Sequence, residues 1–272
     1  MLDTRSEEMI CKSLADILGT RKEAIEVFFA KTMPEYAVKN YWEIDANIFY
    51  NYFSLDKEEF VFDEVVFYHV TTRLIKQQLG KFSIDNLESV LLSDNLLTQL
   101  CKKHDILFKR EEGISVYYQG NKKTFDKPME ARLRNRLDKV NDSCVNGFFL
   151  PELMDDSYIG LTGMPEIFSD IMVSLDRRDI QQEYFEKKTC YLATVSTKID
   201  KMIFDCADPR MSNQEKTQKI IQYLLCYVGY KKTGVASYVT NPMVRLADRY
   251  CVPANEIVDI REIYDWKEIF EH

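Results

Sequence analysis

The stretch FVFDEVVFYHVTTR, residues 60–73, decides how this chain is read. β-Branched and aromatic side chains follow one another up to Val70 with little polar interruption. Such a run suits a strand covered on both faces. Its end changes character, with His69 followed by Thr71, Thr72 and Arg73. A buried strand that finishes on an imidazole, hydroxyls and a guanidinium aims polar chemistry at one end of a sheet. The local alternative is a histidine satisfied by a backbone carbonyl, with the threonines closing a turn.

On the N-terminal side, Ile10, Leu14, Ile17 and Leu18 share one helical face, which Ile25, Phe28 and Phe29 resume after Gly19. Two helices are predicted over 7–31. Gly19 stops the first, and Thr20 with Glu23 offers a capping box to the second. Residues 34–53 are rich in Tyr, Trp and Phe and supply a packing surface. The expected organisation is an N-terminal helical extension, 1–58, on a core spanning 59–272.

On the C-terminal side the pattern predicts a helix over 83–103 and a hairpin over 105–124 that turns at Glu111-Glu112-Gly113. A basic helix follows at 129–139, then a short strand at 144–150 broken by Gly147 and two helices within 164–186. Strands are expected at 189–196, 202–205, 243–248 and 256–260, with a helix or strand at 263–270. Between them lies a helix over 212–230, capped by Ser212 and Glu215. Helices and short strands mix without βαβ regularity, so the fold class is α+β rather than a doubly wound sheet.

Composition bounds the function. The 272 residues are 46% hydrophobic and 29% charged, an ordinary globular balance. Lys+Arg 36 against Asp+Glu 44 gives −8, which argues against a dedicated nonspecific binder of nucleic acid or anionic membrane. Arg132, Arg134, Arg136 and Lys139 are a local exception, but their spacing spreads them round a helix. The seven cysteines form no C-x-x-C pair and only three histidines occur, so neither a disulfide framework nor a zinc site is expected. The first residues lack a secretory pattern, and no apolar run approaches the roughly 20 residues that span a bilayer. The expectation is a soluble, cytoplasmic protein. P-loop, dinucleotide glycine, H-E-x-x-H, G-x-S-x-G and zinc-deaminase patterns are all absent.

Tyr68-His69-Val70-Thr71 resembles the first strand of the ADP-ribosyltransferase fold, in which His-x-Thr or His-x-Ser holds the ribose of NAD. Asn146-Gly147-Phe148-Phe149-Leu150 resembles the Gly-x-Tyr-Phe strand whose aromatic lines the nicotinamide pocket, with Phe149 standing in for Tyr. Tyr158, in Ser157-Tyr158-Ile159-Gly160, resembles the tyrosine that stacks on nicotinamide. Ala254-Asn255-Glu256-Ile257-Val258-Asp259 resembles the late strand that begins with the catalytic glutamate. Val70 stands where many members have Gly, and its side chain leaves backbone bonding to the nicotinamide amide open. The resemblance spans roughly residues 60–270, with an insertion at about 74–143. The chain as a whole also resembles bacterial and phage proteins.

The resemblance implies an α+β fold with an ADP-ribosyltransferase-like split mixed sheet, helical insertions and an N-terminal helical extension. It implies NAD as co-substrate, no metal, and transfer of ADP-ribose to a macromolecular target in the setting of bacterial or phage conflict. Glu256 and His69 would be catalytic, the carboxylate stabilising the positive charge that develops on the ribose. His69 and Thr71 would fix that ribose, Arg73 would meet the pyrophosphate as a forked donor, and Phe149 or Tyr158 would meet nicotinamide. Two other classes stay open. One is a non-catalytic interaction protein using the aromatic segment 36–53 and an acidic surface. The other is a nucleic-acid-binding module using the basic stretch 132–139.

Overall fold

The computed structural model describes residues 1–36, 40–134, 143–153, 160–204, 208–234, 241–247 and 249–264. The decisive stretch forms β1, Glu64–Arg73, whose burial is nearly continuous. It starts later than its apolar composition indicated. Phe60 and Phe62 meet edge to face, and Phe60 joins an aromatic cluster with Phe49 instead of extending the ladder.

β1 lies inside a six-stranded sheet with β5 (Asn146–Phe148), β6 (Thr189–Lys198), β7 (Met202–Phe204), β8 (Met243–Leu246) and β9 (Ile257–Ile263). The order is β7-β8-β5-β1-β6-β9, and every ladder is antiparallel. The α+β class holds. The sheet is continuous and antiparallel rather than split and mixed, because β1 is hydrogen-bonded on both sides, to β5 and to β6.

Among the described residues three α-helices precede β1: α1 (Glu7–Leu18), α2 (Lys22–Tyr36) and α3 (Asn47–Phe53). Gly19 closes α1 at φ 61°, a left-handed conformation that glycine adopts without steric cost. The capping-box expectation for Thr20 gives way to a start at Lys22. These helices do not form a separate unit. Ile10, Leu14, Phe28, Phe29 and Phe49 share one apolar core with Val65 and Phe67 of β1 and with the long helix Asn213–Thr233. That helix, α9 in the chain, opens with the expected capping box of Ser212 and Glu215.

The insertion has its own core. The predicted helix over 83–103 is two, α4 (Leu87–Leu92) and α5 (Leu96–Lys103). Asn95 breaks it, its side chain accepting from Leu97 and Thr98 N–H while Thr98 closes the box. The hairpin appears as β2 (Ile106–Arg110) and β3 (Ile114–Tyr118), and the two-residue β4 (Asn121–Lys122) pairs with the far side of β3. Helix α6 (Lys127–Arg134) carries the start of the basic stretch, and Arg136 and Lys139 lie outside the described residues. Helices α7 (Glu166–Ser174) and α8 (Arg178–Lys187) pack with α5 and the hairpin around Phe168, Ile171 and Tyr184. The segment 265–272, expected as the terminal element, is also outside the described residues.

Candidate functional site

On its β5 side, β1 has a succession of neighbours. Leu2 N–H donates to Glu64 O at 2.8 Å, and Val66 N–H donates to Leu2 O at 2.9 Å. Phe148 then pairs with Tyr68. Stepping along the antiparallel register places Asn146 beside Val70, and β5 starts there. The bonds at Val66 fix the parity, so Val70 and Thr72 also turn their N–H and C=O groups to this side. Past Asn146 no described strand covers that edge.

A cavity of about 900 Å³ opens at this edge, within the range of roughly 300–1,000 Å³ common for small-molecule sites. His69 through Arg73 form one wall, the loop carrying Lys81, Ser83 and Asp85 a second, and Leu87, Val90 and Leu97 of α4 and α5 a third. Met164, Pro165, Glu166, Ser169, Asp170, Cys144 and Tyr184 add to the lining. The walls are cross-braced. Thr72 Oγ1 donates to Gly163 O at 3.0 Å and meets Tyr184 Oη at 2.5 Å, which ties β1 to α8. Gln77 N–H donates to Tyr191 Oη at 2.9 Å, and Ile84 pairs with Val252, which fixes the loop.

His69 meets the Asn146 carbonyl through Nδ1 at 2.6 Å. A carbonyl only accepts, so Nδ1 carries the proton and Nε2 is left as an acceptor. Burial holds the imidazole down at about 4, against the Asn146 bond, with the Arg73 charge adding to the depression. The ring is neutral near pH 7 and keeps this one tautomer. Nε2 makes no hydrogen bond to a described residue, and His69 lines the cavity.

Arg73 is held by neutral groups. Its Nη1 donates to Thr71 Oγ1 at 2.6 Å and to Thr72 O at 3.2 Å, and Nη2 donates to Ser83 O at 3.2 Å. Its guanidinium carbon sits 5.3 Å from the centre of the Phe82 ring. Among the described residues no carboxylate makes an ion pair with it, and burial lowers its pKa although Asp85 acts the other way. A guanidinium held only by neutral groups keeps its charge uncompensated, the property a charge-assisted bond to an anion draws on. Across the cavity, Glu166 and Asp170 of α7 are tied to Arg132 of α6. The sites His69, Thr71 and Arg73, expected together, do converge.

The other expected residues do not join them. Phe149 is fully buried in the main core; its N–H donates to Pro242 O at 3.0 Å and its carbonyl accepts from Thr4 Oγ1 at 2.5 Å. It is core packing and lines no part of the cavity. Tyr158 lies outside the described residues. Glu256 sits in a 3-10 turn before β9. Its neighbour Ile257 is level with Val195 and hence with Phe67, two residues before His69. That separation is about 7 Å along the strands and about 10 Å across two strand spacings. Glu256 is engaged elsewhere, with Lys201 Nζ at 2.8 Å and the Tyr250 hydroxyl both donating to Oε1. The expectation of a carboxylate shared with His69 is corrected on this geometry.

Reading the sequence missed most of the cavity. Lys81, Asp85, Tyr184 and the start of α7 carry no motif, and only the packing of the insertion with α7 and α8 against β1 brings them together. The Asn95 break between α4 and α5 was the one local signal that this region turns back on itself. Among the described residues no cluster of three or more His, Cys, Asp or Glu is placed to hold a metal ion, and no helix is long and apolar enough to cross a membrane. Comparison with protein-family models, curated proteins and solved structures finds no match.

Proposed function

We propose that the cavity is a nucleotide site, that its ligand is NAD, and that the protein is ADP-ribosyltransferase-like in how it holds this ligand. The observation that carries the reading is the meeting of a fixed acceptor, His69 Nε2, with the enclosed guanidinium of Arg73 at one open strand edge. A ribose hydroxyl donates to the first, and a pyrophosphate accepts from the second. The Thr71 oxygen accepts from Arg73, which leaves the Thr71 hydroxyl hydrogen for the ligand. A carboxamide presents N–H and C=O side by side and suits the strand edge at Thr72, whose carbonyl it would share with Arg73. The apolar wall of Leu87, Val90 and Leu97 suits a base.

Chemistry on NAD needs a carboxylate beneath the sugar whose bond breaks. Glu256 is bonded to Lys201 and Tyr250, and the carboxylates on the cavity wall are Asp85, Glu166 and Asp170. Transfer to a macromolecular target therefore draws on one of these three. The second reading is a non-catalytic protein that binds the dinucleotide, and the placement of Glu256 favours it. Incubation of the pure protein with NAD and cell lysate, following nicotinamide release and labelled product, separates them. Release that persists in Glu256→Gln supports transfer from the cavity. Saturable binding without release supports the non-catalytic reading. Absence of any NAD-induced thermal shift overturns both.

A further inference from the structure

We propose that Cys144 is a modifiable thiol of the cavity wall, the cysteine at which small electrophiles and peroxides react with this protein. Its Sγ donates to Asn146 Oδ1 at 3.1 Å, and Arg245 Nε donates to the sulfur at 3.3 Å. Asn146 and Arg245 are register partners across β5 and β8, so the sheet itself fixes both groups. A guanidinium in contact favours the anionic sulfur that attacks electrophiles. Access comes from the cavity, which Cys144 lines together with His69.

The thiol is one member of a cluster. Asn146 holds the sulfur through its side-chain oxygen and the His69 imidazole through its carbonyl. The enclosed His69 keeps Nε2 as an acceptor with no partner among the described residues, which marks the same space as one that receives a ligand.

The other cysteines contrast with this one. Cys11, Cys101, Cys190 and Cys226 are packed in apolar surroundings, and burial raises their thiols to about 11, 12, 11 and 11. Cys144 is also buried, at 7% exposure beside 6% for Cys190 and 5% for Cys226, and differs from them in lining the cavity and in its contact with Arg245. Cys251 is more open, but Asn86 and Ser89 surround its sulfur with amide and hydroxyl groups rather than a cation. Cys206 lies outside the described residues.

With iodoacetamide, a bond forms between the Cys144 sulfur and the methylene carbon, the carbon–iodine bond breaks, iodide leaves and the thiol proton passes to solvent. With hydrogen peroxide, the sulfur takes one oxygen, the O–O bond breaks and hydroxide leaves. The sulfur is oxidised to sulfenic acid while the peroxide is reduced to water. Either product adds bulk to the cavity wall, and so narrows the space for a ligand.

The test is a time course of limiting iodoacetamide on the folded full chain, with peptide mass mapping of every cysteine. Cys144 is expected to react at least tenfold faster than any other. Arg245→Gln slows it about tenfold, and Arg245→Lys, which keeps the charge, restores most of the rate. Cys144 reacting no faster than Cys251 in the wild-type protein overturns the proposal, whether or not the variants fold. Equal rates in wild type and folded Arg245→Gln also overturn it. This outcome is independent of the dinucleotide reading. Slowing by added NAD supports that reading, and fast labelling that NAD leaves unchanged counts against it while the thiol assignment stands.

Discussion

Gly147→Ala places a methyl group where two strands have no room for it. A Cβ at this position would lie 2.5 Å from the Tyr68 carbonyl oxygen and 2.8 Å from Phe67 Cε2, with Phe67 Cδ2 closer still. A Cβ atom does not come within 3.0 Å of such a neighbour, so β5 must part from β1 by at least 0.5 Å. The obstacle on one side is backbone, and on the other a ring fully buried in the main core. Neither can rotate away. Overpacking of this kind costs about 1–3 kcal/mol, and the strained pairing of Tyr68 with Phe148 brings the expected loss to the upper end, about 3 kcal/mol. For a chain of this length that lowers the melting temperature by about 6 °C. Differential scanning calorimetry and urea titration both read it. The displaced β5 also carries Asn146 away from His69, so NAD affinity falls with stability. A loss below about 0.5 kcal/mol with unchanged ligand affinity would show that β1 and β5 are not as closely apposed as described here.

Three further outcomes are expected. Burial holds folded His69 at about 4 while the unfolded imidazole titrates near 6.5. Between these values the unfolded chain binds the extra proton, so this stabilising share is complete above about pH 6.5 and is lost toward pH 4; it is worth about 3 kcal/mol. Urea melts at pH 7 and 4.5 should therefore differ more in the wild type than in His69→Gln, and equal differences would contradict a buried neutral ring. Tyr184→Phe removes the hydroxyl that meets Thr72, while Gly163 O still accepts from Thr72. The expected cost is about 1 kcal/mol by thermal denaturation, and no change would show that α8 is not braced to β1 there. Glu256→Gln weakens the bonds from Lys201 and Tyr250 and costs about 1–2 kcal/mol, with NAD affinity within twofold of wild type. A tenfold loss of affinity in a folded Glu256→Gln protein would restore Glu256 to the site.

The parts of this molecule that follow from local chemistry were readable in the sequence. The apolar run ending at Val70, the Gly19 stop, the Ser212 cap and the Glu111-Glu112-Gly113 turn each depend on residues within a few positions of one another. The His69, Thr71 and Arg73 wall was readable for the same reason, since alternate residues of one strand share a face. Phe149 was misread because an aromatic next to a short strand looks the same whether it faces a cavity or a core. Its partners, Pro242 and Thr4, are distant in the chain. Glu256 was misread because a carboxylate at a strand start says nothing of which sheet row it occupies. The register through β6 puts it level with the beginning of β1 rather than its end. The cavity itself depends on the insertion folding over β1, and no motif encodes that.

The central claim is that Arg73 and His69 present an anion site and a hydroxyl acceptor to one ligand in this cavity. Calorimetric titration of NAD into wild type and Arg73→Gln tests it directly. Removing a charged donor from a phosphate costs about 1.5–3 kcal/mol, so saturable wild-type binding should weaken by at least tenfold in a variant that melts normally. Absence of heat in the wild type, or equal affinity in the two proteins, would contradict the account.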